Sequence, residues 1–135
     1  MFVKDQIYKR SELHDSYGGN RQGGISPSRK SDLIFLFTGS SGKEYGYEDG
    51  WKENGSFYYT GEGQVGDMKF ERGNKSVRDH ISNGKSIYLF EQLGNGLVKF
   101  MSEVKCTGYQ QKEGFDREHN RRIIIIFELM STSFK

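Results

Sequence analysis

Ile123-Ile124-Ile125-Ile126-Phe127 leaves no polar position in five consecutive residues, and four of the five are β-branched. A strand with one wet face alternates, whereas a strand covered on both faces is apolar throughout. The segment Arg122 to Met130 is therefore expected to be a central strand. Asp32 to Thr38 (Asp-Leu-Ile-Phe-Leu-Phe-Thr) is a second continuous apolar run between turn residues and reads as another buried strand. Two interior strands require others to flank them. Ser56 to Thr60, Ser86 to Glu91 and Leu97 to Thr107 supply those, with Gly94-Asn95-Gly96 as a hairpin turn between the last two.

Two short helices fit between the strands. Arg10 to Tyr17 begins with Ser11 as N-cap, places Leu13 and Tyr17 on one face and stops at Gly18-Gly19. Lys75 to about Ser82 follows Asn74 as cap, turns Val77 and Ile81 toward the core and closes at Asn83-Gly84. Residues 1–9 read as extended, 18–32 as a loop turning into Ile25, 61–73 as irregular and 108–121 as a polar, charged loop. The fold class is α+β, mainly β: five or so strands in a curved sheet or small β-barrel, with two short helices at its rim.

At 135 residues the chain has the length of one domain. Only 33% of it is hydrophobic but 14% is aromatic, so the core must come from Phe, Tyr and Ile on strands. A net charge of +2 permits a nucleic-acid partner without predicting one. The single cysteine excludes an internal disulfide and a multi-cysteine zinc site. Met1-Phe2-Val3-Lys4-Asp5 meets charge at once, and no apolar run nears the ~18 residues of a membrane span. An intracellular, cytoplasmic setting is expected, with no membrane partner.

Residues 46 to 64 set five aromatics (Tyr47, Trp51, Phe57, Tyr58, Tyr59) among five glycines and several acids. Glycine lets a backbone approach a ligand, and aromatic faces are stacking surfaces, so this stretch reads as a pocket wall. Its tyrosines read equally as core residues with satisfied hydroxyls, and Asp49-Gly50 as an ordinary turn. Trp51 reads as a rim residue and Glu62 as a lesser wall candidate. The GxGxxG spelling from Gly61 to Gly66 lacks the helix and acid of a dinucleotide site. His119-Asn120 lacks the partners of a nuclease centre.

The order of short blocks carries more. Gly23-Gly24-Ile25, a strand, Gly46-Tyr-Glu-Asp49, Phe57-Tyr-Tyr-Thr-Gly-Glu-Gly63, Gly66-Asp67, Gly73-Asn74-Lys75 and Asn83-Gly84-Lys85 follow one another from about residue 14 to 105. This series resembles the SRA (YDG) domain, a PUA-like β-barrel, as joined to HNH nucleases in bacterial modification-dependent restriction enzymes. The resemblance implies a reader of 5-methylcytosine, 5-hydroxymethylcytosine or a related modified cytosine, which is flipped out of double-stranded DNA and held between two aromatic rings. It implies a single module over residues 1–135, free-standing or part of a larger enzyme, with no catalytic residue, metal or cofactor of its own. Any nuclease would lie in a separate domain.

By the same resemblance, Tyr47, Glu48, Asp49, Tyr59, Thr60 and Gly61 surround the base. The family's base-reading acid aligns with Gly50, a departure that passes the role to Asp49 or Glu48. Gln22, flanked by Arg21, maps to one groove-entering loop, and Gly73-Asn74-Lys75 to the second. His14, Arg29 and Arg78 are assigned to the DNA backbone, with His14 read equally as a helix-surface or packing residue. Lys112, Arg117, Arg121 and Arg122 form a second basic cluster, which reads either as a track for a nucleic-acid backbone or, as charged residues usually are, as solvated surface. Three other functions stay open: a PUA-like RNA-binding module, a reader of phosphorothioate DNA, and a small-molecule hydrolase or transferase using Asp49, Glu62 or Asp67.

Overall fold

A computed structural model of the chain describes residues 2–39 and 49–132. Tyr47 and Glu48 lie outside the described residues. Among these, eight strands form one sheet: β1 (Ile7–Lys9), β2 (Ile25–Pro27), β3 (Leu33–Thr38), β4 (Gly50–Trp51), β5 (Phe57–Thr60), β6 (Ser86–Gly94), β7 (Leu97–Phe115) and β8 (Arg121–Ser131). The spatial order is β2-β3-β6-β7-β8-β5-β4, with β1 added to β7. The β3–β6 pair is parallel and the other pairs are antiparallel. The helices are α1 (Arg10–Tyr17) and α2 (Arg72–Arg78).

The apolar runs lie where their patterning requires. β8 sits between β7 and β5, and Ile124 to Phe127 are all buried. β3 sends Ile34 and Leu36 into one cluster with Ile87, Leu89 and Leu129, and Leu33, Phe35 and Phe37 into another with Phe90, Val98 and Phe100. Leu13 of α1 seals the second cluster, with Tyr17 packed beside it, and Val77 of α2 enters the first. The β6–β7 turn has positive φ at Asn95 (55°) and Gly96 (76°). That is the backbone of a type I′ turn, and it explains this residue pair.

Several expectations are corrected. Lys9, not Ser11, is the N-cap of α1, and it makes no side-chain cap bond. Helix α2 starts at Arg72, so Asn74 lies inside it. Ile81 falls in the following turn and is 65% exposed. Residues 108–115 are not a loop, because β7 continues through them, paired Gly108 to Glu128 and Phe115 to Arg121. No side chain from Lys105 to Phe115 is buried, so polarity there records exposure and not the end of the strand. β1, β2 and β4 are too short to leave a periodic signal.

The two ends of the sheet path curl toward each other. The Tyr59 hydroxyl on β5 donates to the Phe37 carbonyl on β3 at 3.0 Å. The Asp49 carboxylate, just before β4, accepts from the Thr38 hydroxyl and from the Thr60 amide, each at 2.8 Å. These bonds stitch the seam without a continuous ladder and leave room beside it.

Candidate functional site

A pocket of about 310 Å³ occupies that seam, at the small end of the about 300–1,000 Å³ usual for small-molecule sites. β3 contributes Phe37, the segment after it Gly39, and β5 contributes Tyr59 and Thr60. Gln22 and Gly24 come from the loop before β2, Gln92 from the end of β6 and Arg122 from the start of β8. Asp49 and the segment Gly61 to Gln64 complete the wall. A second, larger cleft of about 750 Å³ shares Ile25, Glu62, Gly63 and Met68 with it and carries Arg29, Lys69 and Arg72.

Tyr59 is 4% exposed, so its ring is a fixed wall. Burial, and then the charges of Asp49 and Glu62, hold its hydroxyl protonated far above the ordinary phenol range. That keeps it a donor to Phe37. Burial raises the Asp49 carboxyl above the usual aspartate value, against the opposing bonds from Thr60 and Thr38. Glu62 is likewise raised by burial, opposed by the Gly73 amide that donates to its Oε2 at 3.0 Å. Each Asp49 oxygen already accepts one bond and keeps acceptor capacity. When ionised, Asp49 can take only a donor, such as an exocyclic amine.

The first loop is held from behind. Arg10 Nη2 donates to the carbonyls of Asn20 (3.0 Å) and Gly23 (2.7 Å), and its guanidinium carbon lies 3.8 Å from the Phe37 ring centroid. Its Nε donates to Nε2 of His14 at 2.9 Å, which leaves Nδ1–H to donate to the Gly18 carbonyl at 2.8 Å. His14 is thus a buried neutral imidazole, its pKa lowered first by burial. The Asn20 side chain accepts from the amides of Gln22 and Gly23, shaping the tip that carries Gln22 to the pocket.

Asp49, Tyr59, Thr60, Gly61 and Gln22 meet at one pocket. Arg29 lines the adjoining cleft, while Lys75 and Arg78 are exposed on α2. Arg21 is exposed and paired with Asp15 at 2.6 Å, and Arg78 with Asp79 at 2.8 Å. Two assignments fail on burial. His14 is enclosed with both ring nitrogens engaged, so it does not face a DNA backbone. Asn74 is 2% exposed and brackets the wall: its Oδ1 accepts from the Glu62 amide, and its Nδ2 donates to the carbonyls of Glu62 and Lys69. It is not a groove probe.

By charge alone Arg122 reads as solvated surface or as a nucleic-acid backbone contact, and it is neither. It is buried, lines the pocket and donates from Nη1 to the carbonyls of Gly63 (2.6 Å) and Gly66 (3.2 Å). Its signal was the period of two, which puts residue 122 on the same side of β8 as Ile124. Gly24 is required by close approach. A Cβ there would sit 2.9 Å from the Tyr59 hydroxyl. Gly24→Ala is expected to displace that hydroxyl from Phe37 and cost about 1 kcal/mol, read as a lower denaturation midpoint at unchanged slope.

A family profile described as the SRA domain of ScoMcrA-like proteins matches residues 3–133. No curated protein matches the chain. Among solved structures, the sulfur-binding and SRA domains of ScoMcrA complexed with phosphorothioated DNA superpose with TM-score 0.75 at 20% identity, covering 97% of this chain and 40% of that one. The SRA domain of SUVH5 with hemimethylated CG DNA gives 0.69 at 16% identity, over 100% of this chain and 91% of that one. The modification-dependent restriction endonuclease AspBHI gives 0.69 at 18% identity, over 98% and 42%. At these identities the superpositions show a shared fold. The chain spans 28% of the ScoMcrA restriction endonuclease.

Proposed function

The chain belongs to the SRA-domain family of ScoMcrA-like proteins, and from that membership we propose that it reads a modified base in DNA by rotating it into the seam pocket. The observation that carries this reading is the Asp49 carboxylate, fixed between Thr38 and Thr60 beside the Tyr59 ring in a cavity of about 310 Å³. A carboxylate accepts from the exocyclic amine of cytosine, so a modified cytosine such as 5-methyl- or 5-hydroxymethylcytosine is the proposed ligand. Tyr59 supplies one wall, and Tyr47 is proposed as the opposing aromatic face. Base–aromatic stacking contributes roughly 1–3 kcal/mol, which offsets much of the few kcal/mol that unstacking costs. Gln22 and Arg21 are proposed to enter the duplex where the base leaves it. The module would direct a nuclease carried on another domain.

The test is a panel of short duplexes that differ at one position: unmodified, 5-methylcytosine, 5-hydroxymethylcytosine, glucosylated 5-hydroxymethylcytosine, N6-methyladenine and a phosphorothioate linkage, with RNA as competitor. At least one modified cytosine is expected to bind several-fold more tightly than the unmodified duplex. Affinity for the unmodified duplex should fall steadily with salt as phosphate contacts are screened. Equal affinities across the panel would sink the reading. A phosphorothioate preference would favour the second reading, which rests on ScoMcrA being complexed with phosphorothioated DNA through a chain that carries an SRA domain beside its sulfur-binding domain.

A further inference from the structure

The wall segment Glu62 to Asp67 leaves β8 and comes back to it. The Gly61 amide donates to the Ile125 carbonyl (2.8 Å), and on the return Met68 donates to the Ile123 carbonyl (2.9 Å) while Ile123 donates to the Asp67 carboxylate (2.7 Å). Between those ties, Glu62, Gly63 and Gln64 face the pocket. A bulged segment with glycines at 63 and 66 has little stiffness of its own, so its shape depends on what grips it from outside.

Asn74 holds Glu62, and Arg122 holds the carbonyls of Gly63 and Gly66; a further grip, on Gln64 and the Gly66 amide, comes from the tip of the β7–β8 hairpin, some fifty residues on. Asp116 is buried. Its Oδ1 accepts from the amides of Glu118 and Asn120, both at 2.9 Å, closing the tip. Its Oδ2 accepts from the Gly66 amide at 3.0 Å. Next to it, the Arg117 amide donates to the Gln64 carbonyl (2.9 Å) and Arg117 Nη1 donates to Gln64 Oε1 (2.6 Å). One carboxylate therefore shapes the hairpin tip and fastens the pocket wall to it. Those amides hold the Asp116 carboxyl below the usual aspartate value, so the tie persists at acidities where Asp49 takes up its proton.

We infer that Asp116 is a positioning residue for modified-base discrimination: with Arg117, it makes the hairpin tip a clamp that sets the Gln64 side of the pocket. This rests on the base-reading function proposed above. Asp116 touches no base; it acts through Gly66, and Arg117 acts through Gln64.

The test uses D116N and Arg117→Ala in the full chain, with the modified duplex the wild type prefers and its unmodified counterpart. In D116N the amide oxygen can still close the tip, but the NH₂ group meets the Gly66 N–H donor to donor and the tie is lost. Arg117 is exposed, so its truncation is expected to leave the melting temperature near wild type. Each variant is expected to narrow the ratio of the two affinities roughly three- to tenfold, the size of one lost hydrogen bond, mainly by weakening the modified duplex. A purely structural role would lower the melting temperature and leave the ratio alone. That result in both variants, against a discriminating wild type, overturns the inference and spares the base reading. A wild type that does not discriminate overturns both.

Discussion

Tyr59→Ala is expected to destabilise the domain by about 3–5 kcal/mol, the range for deleting a buried aromatic ring. Tyr59 belongs to the larger core cluster, and its hydroxyl is one of the bonds across the seam. A loss of that size is a large part of the about 5–15 kcal/mol that holds a typical domain folded. It would be read as a fall in the denaturation midpoint at unchanged slope. Tyr59→Phe keeps the wall and removes only the bond to Phe37, for about 1 kcal/mol. The Phe variant is therefore the one in which to measure binding. It should keep its preference for the modified duplex, since it retains the ring proposed as the stacking face. An alanine variant as stable as the wild type would contradict the packing described here.

Asp49→Asn is expected to carry the largest effect on recognition. An asparagine can keep the seam intact, its oxygen accepting from Thr60 and its NH₂ donating to the Thr38 hydroxyl. What it loses is the second acceptor and the charge, so a base amine meets a donor. A hydrogen bond to a charged group is worth about 1.5–3 kcal/mol, and only a flipped base makes it, so its loss should lower the affinity ratio of modified to unmodified duplex roughly ten- to 150-fold. The pH dependence follows with its sign. Burial raises the Asp49 pKa, so on acidification it takes up a proton earlier than a free aspartate would. Discrimination should fall through that raised value in the wild type and be flat there in Asp49→Asn. Stability moves the other way: between the ordinary and the raised value the native state holds a proton that the unfolded state has released. Asp49 thus costs stability as pH rises through that window.

What was legible followed from burial pattern and turn chemistry. The isoleucine run of β8, the apolar run of β3 and the Asn95-Gly96 turn each state their own environment, and α1 has the bounds that Gly18 imposes on it. Asp49, Tyr59 and Gln22 were reached through a resemblance in block order, and they do line one pocket. The misses share a cause. Asn74 looks like a surface residue until the fold brings Glu62 alongside it, and His14 until Phe35 and Phe37 of β3 pack against its ring. Arg122 and Asp116 act on residues 63 to 66, more than fifty positions away for Arg122 and fifty for Asp116, and no local window contains both ends. The exposed half of β7 carries no apolar alternation, and only its pairing with β8 makes it a strand.

The central claim is that a base leaves the duplex and enters the seam. Fluorescence of a 2-aminopurine placed next to the modified cytosine reports this directly, because the probe brightens when its neighbour unstacks. Saturating the modified duplex with protein should raise the signal, with a much smaller rise for Asp49→Asn and none for the unmodified duplex. Saturated, selective binding without any change in fluorescence would contradict the account.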